Sequence, residues 1–326
     1  MQNFKNILSV RHLRLIEMLG SRLSINRTAE ALHTSPSAIS RGLREIEELL
    51  GARLFDRTTR HVNPTSLGRN LIRHAEQILN QIDRAEADFY ALLSGEGDRL
   101  DVGLMGGISP RLLSFALNLM KERAPDVAVR FQSNFAPGLV ADLIHNRCDL
   151  IVTHFDIERI ESHELEISQI YMERIVVVAG KDHPLAQRTG VTWEELAQES
   201  WAMLPGETSI RRILEHKLLM HKRDRTPIKV ETIEVHFVME MIRSAEMITA
   251  LPFHLADWMQ DGLGIAKEIP VFDDVSPWPV CAATLASREQ SFACRTFTDC
   301  LRAAGATLMH DSPRFIQSSN IKNQGF

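Results

Sequence analysis

Apolar residues at helical spacing mark three short helices in the first 50 residues. The first has a stripe formed by Leu13, Leu15, Ile16 and Leu19. Ser24 is a capping residue that predicts a second helix from about residue 25 to residue 32. Ser35 caps a third helix, with Pro36 at its first position. We expect this helix to bury Ile39, Leu43, Ile46, Leu49 and Leu50.

A short second helix followed closely by a third is typical of a helix-turn-helix, whose third helix lies in the major groove of DNA. Hydroxyl groups can bond to phosphates or base edges, and arginine can bind guanine through two hydrogen bonds. The exposed N-terminal positions of the third helix therefore predict DNA contacts by Ser35, Ser37, Ser40 and Arg41.

Two short extended pieces around a basic tip follow between residues 54 and 65. They predict a wing, in which Arg57 and Arg60 contact phosphate or the minor groove. The alternative for the whole region is a small helical bundle with a solvated loop. The capping residues and the basic hairpin together favour a winged helix-turn-helix.

A long helical pattern without proline runs from residue 65 or 66 to about residue 93. Its apolar positions are separated by alternating steps of four and three residues, which is the heptad seam of a coiled coil. They are Leu71, Ala75, Ile78, Ile82, Ala85, Phe89 and Leu92. The regular steps favour a partner helix, although a helix that packs on its own domain is the alternative. Residues 94–98 then predict a hinge.

From residue 100 onward, short apolar runs alternate with helical patterns, which predicts parallel sheets with helices on both faces. The predicted strands cover about residues 100–105, 127–133, 150–153, 175–179, 247–250 and 280–285. The predicted helices cover about residues 110–123, 139–146, 210–220, 237–244, 252–259 and 292–302.

Two strand-to-helix loops in this region are candidate ligand-binding loops. One spans residues 105–110 and contains Gly107 and Ser109, and the other spans residues 205–210 and contains Thr208 and Ser209. Free N–H groups and a hydroxyl at a helix start suit a carboxylate or another oxygen-rich ligand. Ordinary helix capping without a ligand is the alternative for each loop.

Charge is distributed unevenly along the chain. Residues 1–65 hold ten lysines and arginines against six acids, a net charge of +4 that leaves −9 for the rest of a chain with net charge −5. A basic head suits contact with phosphate. With 44% hydrophobic and 24% charged residues, no apolar run of membrane length and no signal-peptide pattern, we expect a cytoplasmic globular protein that does not contact a membrane.

The sequence lacks the motifs of common enzymes and metal sites. It has no dinucleotide-binding glycine spacing, phosphate-loop lysine, nucleophile elbow or His-Glu-x-x-His helix. The four cysteines lack Cys-x-x-Cys and zinc-like spacing, which predicts buried thiols. They are Cys148, Cys281, Cys294 and Cys300. We expect no enzyme activity, no metal and no cofactor. A transport solute-binding protein would instead need a secretion signal and no DNA-binding head.

The residues from Leu13 to Gly68 resemble, in order, the N-terminal domain of LysR-type transcriptional regulators. The matching stretches are residues 13–16, 27–33, 35–41, 43–47, 49–57 and 65–68. The family often has Gln followed by Pro where this chain has Pro36 and Ser37, so we expect the base contact of that Gln to pass to Ser37. Thr28 and Gly42 also depart from the common pattern.

The resemblance implies an α/β protein with a winged helix-turn-helix, a dimerising linker helix and a two-lobed, Rossmann-like effector domain of the periplasmic-binding-protein type II fold. It implies a DNA-binding domain over residues 1–65, a linker helix over 66–93, an effector domain over 94–307 and a flexible tail over 308–326. The first lobe would cover about residues 98–172 and 275–307, and the second about 173–274.

Further expectations follow from family position alone. The additional candidates for the effector-binding wall are Thr153, Phe155, His236, Phe237 and Thr249. The resemblance also implies a small-molecule effector, with sugars, sugar acids and aromatic acids all open. The implied partners are a palindromic double-stranded operator, further copies of the chain in a homodimer or homotetramer, and RNA polymerase.

Overall fold

The structure is a computed structural model of the 326-residue chain. It describes residues 8–57, 62–93, 97–154, 164–206, 208–221, 228–244, 247–272, 275 and 277–310, without the side chains of residues 57, 87, 88, 91, 92 and 209. The chain divides into two units. The first comprises residues 1–96 with 144–147, and the second comprises residues 97–143 with 148–326.

The described residues of the first unit form three short helices, a two-stranded antiparallel hairpin and a long helix. Their bounds are α1 (Val10–Arg22), α2 (Ile25–Ala31), α3 (Pro36–Leu50), β1 (Phe55–Arg57), β2 (Val62–Pro64) and α4 (Ser66–Leu93). The predicted caps are confirmed, because Ser24 and Ser35 accept hydrogen bonds from the N–H groups of Arg27 and Ala38. The arrangement is the winged helix-turn-helix that the sequence predicts.

The core of this unit is built from the apolar stripes of the first three helices. Its fully buried members include Ile16, Leu19, Leu43 and Ile46. Leu49 was expected in the stripe of α3, but it is 38% exposed. Leu50 lies four residues after Ile46, so it continues the stripe and is partly buried. Leu49 lies one position earlier and therefore points to the side of the stripe.

Thr28 in α2 is fully buried, and its hydroxyl has no hydrogen-bond partner among the described residues. An unpaired buried hydroxyl costs about 1–3 kcal/mol, and valine has nearly the same shape without it. We expect Thr28→Val to raise the free energy of unfolding of the first unit by about 1 kcal/mol. Urea denaturation monitored by circular dichroism measures this change.

Thr65 provides the matched control for this substitution. Its hydroxyl donates to the carbonyl groups of Arg53 and Leu54 and accepts a hydrogen bond from the N–H group of Gly68. Thr65→Val removes a satisfied hydroxyl and should therefore lower the stability of the same unit. A Thr28→Val variant that is as destabilised as Thr65→Val would contradict the interpretation of the Thr28 site.

The first half of α4 packs on the head, and its second half exposes apolar side chains. Ala75 is fully buried in the core of the first unit, and Leu71 is partly buried there. Farther along the helix, Phe89, Tyr90 and Leu93 are each at least 60% exposed. Of the predicted seam, Leu71 and Ala75 thus pack within the head and Phe89 is exposed, while the side chain of Leu92 lies outside the described residues. Among the described residues, no helix has the length and apolar character needed to span a bilayer.

The part of the second unit that the structure describes contains two five-stranded sheets. The first sheet has the strand order β4-β3-β5-β12-β6 and is packed with three helices. Its elements are β3 (Arg99–Met105), α5 (Pro110–Arg123), β4 (Ala128–Asn134), α6 (Ala136–Ile144), β5 (Leu150–His154), β6 (Leu165–Glu173), β12 (Trp278–Leu285) and α11 (Phe292–His310).

The second sheet has the strand order β11-β7-β10-β8-β9. Its elements are β7 (Ile175–Gly180), a 3-10 turn (Pro184–Gln187), α7 (Trp193–Leu196), β8 (Trp201–Met203), α8 (Ser209–His221), β9 (Ile228–Glu231), α9 (Val235–Ser244), β10 (Ile248–Pro252), α10 (Phe253–Asp257), a π-helical turn (Trp258–Gly262) and β11 (Ala266–Ile269). Apolar side chains pack on both faces of this sheet.

Both sheets contain the predicted parallel pairs, but each also contains antiparallel pairs that the sequence did not indicate. In the first sheet β12 runs antiparallel to β5 and β6, and in the second β7 runs antiparallel to β10 and β11. The reason is that the chain leaves the first sheet after β6 and returns through β12 in the opposite direction. The last helix also includes residues 308–310, which were assigned to the tail, because Leu308 is buried in the core. The rest of the predicted tail lies outside the described residues.

Candidate DNA interface and effector site

The N-terminal half of α3 carries four of the predicted DNA contacts. Ser35, Ser37 and Arg41 are exposed, and Ser40 is half-buried. Ser40 and Arg41 follow Ser37 by three and four residues, so both lie on the same face of the helix as Ser37. The Ser35 and Ser37 hydroxyls are 2.9 Å apart. Ser35 also caps the helix by accepting from the N–H group of Ala38 at 3.2 Å.

Two backbone features fix the position of α3. The turn before it is a Schellman motif, in which the N–H groups of His33 and Thr34 donate to the carbonyl groups of Glu30 and Ala29, and His33 has a φ of 49°. A Cβ atom on Gly42 would lie 2.8 Å from a methyl carbon of Leu15 in α1. Close packing of α1 on α3 therefore explains the departure from the family pattern at Gly42.

The wing is a short hairpin in which Phe55 pairs with Pro64 and Arg57 pairs with Val62. Its tip, which contains Arg60, lies outside the described residues, as does the side chain of Arg57. The predicted contacts of both arginines therefore stay predictions.

A carboxylate and a hydroxyl that the sequence analysis did not single out connect α3, the wing and α4. Glu47 Oε1 accepts hydrogen bonds from the N–H groups of Leu54 at 2.8 Å and Phe55 at 3.2 Å. The Thr65 hydroxyl donates to the carbonyl groups of Arg53 at 3.0 Å and Leu54 at 3.2 Å. Both residues lie in the stretches that match the family, but their partners are seven or more residues away. No local pattern could have indicated these contacts.

In the second unit, the predicted loop after β3 faces elements of the second sheet. Gly107 has a φ of 95°, and a Cβ atom there would lie 3.6 Å from Pro252 at the end of β10. A Cβ atom on Gly106 would lie 3.8 Å from the carbonyl oxygen of Ile233. The structure therefore brings this loop of the first sheet together with the segments that flank α9 and β10.

Three of the predicted hydroxyls in the second unit are buried. They belong to Ser109, Thr153 and Thr249. Ser109 caps α5 by accepting from the N–H group of Leu112 at 3.5 Å. Thr153 donates to the sulfur of Met105 at 3.2 Å, which places the end of β5 beside the loop. In this arrangement Ser109 serves as a helix cap, the alternative that the sequence left open.

The other predicted effector residues are more dispersed. Thr208 is half-buried and caps α8, accepting from the N–H group of Arg211 and donating to the Pro205 carbonyl. Phe237 and His236 are exposed on α9. Phe155 and the side chain of Ser209 lie outside the described residues. The structure thus brings together Gly107, Ser109 and Thr153 around one loop and leaves Phe237 at the surface.

A buried polar group that the sequence analysis missed joins the two sheets. Three donors converge on the fully buried carboxylate of Glu173 at the end of β6. The Tyr171 hydroxyl donates at 2.9 Å, the Arg174 N–H group at 3.1 Å, and Nδ1 of His254 in α10 at 3.1 Å. The only sequence signal was a charged pair, Glu173 and Arg174, between two apolar strands. A more exposed ion pair also joins α5 to α10, with 3.6 Å between Arg111 and Asp257.

The four cysteines are buried thiols, as the sequence predicts. Burial raises the pKa of Cys148 to about 12, with Asp142 and Asp149 adding to the effect. Burial raises the pKa of Cys281 to about 11 and also raises that of Cys300. Because the thiolate is the reactive form, these side chains are poorly suited to redox chemistry.

Comparison with known proteins identifies the family. Residues 10–69 match the family described as bacterial regulatory helix-turn-helix protein, lysR family. Residues 94–306 match the LysR substrate binding domain. The chain belongs to the LysR family of transcriptional regulators. Its recognition from the residues between Leu13 and Gly68 is therefore confirmed.

Individual relatives of this LysR-family chain agree with the assignment. The HTH-type transcriptional regulator YnfL of Escherichia coli K12, itself uncharacterized, is 26% identical over 293 residues, covering 89% of this chain and 96% of YnfL. A full-length OxyR variant from Pseudomonas aeruginosa superposes with a TM-score of 0.59 at 21% identity, over 90% of this chain and 97% of OxyR.

A DNA-bound structure shows the same fold. Full-length CbnR, a LysR-family regulator solved in complex with its target DNA, has a TM-score of 0.61 at 15% identity, over 91% of this chain and 100% of CbnR. The relatives are transcriptional regulators, and neither matched family is catalytic. The winged helix-turn-helix and the two-sheet effector domain are therefore those of a LysR-type regulator.

Proposed function

We propose that this LysR-type regulator binds a specific double-stranded operator through Ser35, Ser37, Ser40 and Arg41, with Arg57 and Arg60 on the wing contacting phosphate or the minor groove. One observation carries the proposal: Ser37, Ser40 and Arg41 share a face of α3 that is turned away from the stripe formed by Ile39, Leu43 and Ile46. A recognition helix needs this division, because one face must pack on its own domain while the other reads DNA.

The proposed DNA-binding form is a homodimer or a dimer of dimers. The exposed apolar surface at the end of α4, formed by Phe89, Tyr90 and Leu93, is the surface that a second copy of this helix would bury. A dimer with two-fold symmetry would bind inverted half-sites about one helical turn, or 10–10.5 base pairs, apart. The operator is accordingly expected to be palindromic.

The proposed effector site lies around the loop after β3. Gly107, Ser109 and Thr153 lie at this loop, and the predicted wall also contains Phe155, Thr208, Ser209, Phe237 and Thr249. The closeness of Gly107 to Pro252 and of Gly106 to Ile233 supports a role at the cleft between the sheets. Sugars, sugar acids and aromatic acids are the candidate classes of effector. A ligand that binds one arrangement of the two lobes more tightly than another would stabilise that arrangement and so change the affinity for DNA.

The remaining parts of the proposal concern the protein's location, its activity, one further partner and the roles of its domains. We infer a cytoplasmic regulator without enzyme activity or a cofactor, which has RNA polymerase as a candidate partner. The assigned domain roles are DNA binding for residues 1–65, dimerisation for 66–93 and effector binding for 94–307. These inferences rest on the family membership and on the absence of catalytic motifs in the sequence.

A gel-shift assay with DNA from the region upstream of the protein's own gene tests the proposal. We expect a complex whose affinity falls steeply with salt concentration, because binding releases counterions from the phosphates. Small acids and sugars added one at a time should include a compound that changes the affinity. A complex no stronger than that with unrelated DNA at every salt concentration would count against this operator location.

A further inference from the structure

His154, the last residue of β5, occupies an unusual position beside the Glu173 group. Its side chain is 4% exposed, and neither ring nitrogen has a hydrogen-bond partner among the described residues. His154 pairs with Val280 of β12, and Val280 pairs on its other side with Tyr171 of β6. The three side chains therefore form one row across the first sheet. This row ends beside the Glu173 carboxylate, which His254 of the second sheet contacts.

The charged group that acts on His154 is the Glu173 carboxylate of β6. The Tyr171 phenol of β6 and the His254 ring of α10 both bind that carboxylate. The β12 residue that pairs with His154 is the apolar Val280. Arg174 is directed elsewhere, with its guanidinium over the Phe253 ring and 3.3 Å from Glu268. Burial lowers the pKa of His154 below its usual value of 6.5, and Glu173 opposes the change by a smaller amount.

We propose that His154 is a pH-sensitive latch between the two lobes of the effector domain, packed inside when neutral and opening the junction when protonated. A charged imidazolium without an acceptor is strongly disfavoured in a buried position, so it must reach water or the Glu173 carboxylate. A ring that reaches Glu173 would compete with His254 for the carboxylate that joins the sheets, and a ring that reaches water would leave its buried position at the end of β5. The latch rests on the proposed function only in assuming that lobe arrangement influences DNA binding.

The direction of the pH effect follows from proton linkage. The closed arrangement holds His154 with a lowered pKa and therefore binds fewer protons than an open arrangement in which the ring is hydrated. Stabilisation of the closed arrangement is complete above the ordinary histidine pKa, about 6.5, and is lost as the pH falls below it. Acidification should therefore open the junction while each sheet stays folded.

Tryptophan fluorescence of the full chain can detect this opening. Trp278 pairs in register with Glu173, and Trp258 directly follows α10, so two of the four tryptophans flank the junction. We expect a reversible, single-proton change in fluorescence between about pH 8 and pH 5, with the far-ultraviolet circular dichroism unchanged. His154→Leu fills the apolar position without a titratable ring and should abolish the change.

Two histidine variants are the controls. His216→Leu removes an exposed histidine of α8 in the same domain, and it should leave the transition intact. His254→Gln keeps an N–H donor for Glu173 without a titrating ring and should also retain it. If the transition persists in His154→Leu or disappears only in His254→Gln, the assignment to His154 is overturned.

Global acid unfolding must be distinguished from opening. A loss of circular dichroism that coincides with the fluorescence change would overturn the latch, and so would the absence of any fluorescence change in the wild type. If His154→Leu does not fold at pH 8, His154→Gln takes its place with the same expected outcome. The test uses no DNA, so a failed latch and a failed DNA-binding proposal are separate results.

Discussion

Gly68→Ala is expected to destabilise the DNA-binding unit by about 3 kcal/mol, at the upper end of the usual cost of overpacking. A Cβ atom on Gly68 would lie 2.0 Å from the carbonyl oxygen of Leu54. That carbonyl also accepts hydrogen bonds from the N–H group and the hydroxyl of Thr65, and the Leu54 N–H group is bonded to Glu47. The backbone of Leu54 therefore cannot move away without breaking several contacts that connect the wing to α3 and α4.

The distribution of tryptophan allows the effect to be assigned to one unit. All four tryptophans, at positions 193, 201, 258 and 278, lie in the second unit. In urea denaturation of Gly68→Ala, the helical circular dichroism signal should therefore begin to fall at a lower concentration, while the tryptophan transition stays in place. The same two probes apply to the Thr28→Val experiment.

Gly51→Ala is the matched glycine control. Gly51 follows α3 with a φ of 65°, and a Cβ atom there would meet nothing within 4 Å. Its replacement adds only the strain of a left-handed residue, about 1 kcal/mol. A Gly68→Ala variant no less stable than Gly51→Ala would show that α4 does not pack against Leu54 as described.

Arg41→Ala is expected to weaken specific DNA binding by about 10- to 100-fold, the range given by the loss of one bidentate arginine–guanine contact. Arg41 is exposed on the face of α3 that carries Ser37 and Ser40. Affinity for unrelated DNA should change much less, since phosphate contacts provide most of that binding. Titration of the variant with operator and unrelated DNA in the same salt measures both changes.

Arg243→Ala controls for the loss of one positive charge. Arg243 is an exposed residue of the second unit, where it forms an ion pair with Glu240. Its substitution should leave operator affinity unchanged. An Arg41→Ala variant that binds the operator as strongly as Arg243→Ala would remove Arg41 from the proposed interface.

The local features of this fold could be predicted from sequence because they depend on neighbouring residues. Ser24 and Ser35 cap the helices they were expected to cap, and α5 spans the predicted residues 110–123. The strands that were missed are short or half-exposed. β8 has three residues, and β6 alternates between exposed and buried positions over much of its length. Strand direction was also missed, because it depends on the path of the chain between the sheets.

In the candidate sites, too, the features set by neighbouring residues were predictable and those set by distant residues were not. The exposed serines and Arg41 of α3 were predictable because a helical period separates them from the buried stripe. The contacts of Glu47 with Leu54 and of Glu173 with His254 were not, since 81 residues separate the second pair. Nothing in the sequence around His154 indicates that its ring nitrogens would be buried without partners. Such features depend on tertiary packing and become visible only in the folded chain.

Selection from a library of randomised DNA duplexes tests the central claim most directly, because it requires no knowledge of the operator. The full chain should enrich one sequence composed of inverted half-sites, with centres about 10–10.5 base pairs or a multiple of that distance apart. Arg41→Ala should lose or relax the enrichment in each half-site. Recovery of a pool no different from the starting library would contradict sequence-specific binding by α3.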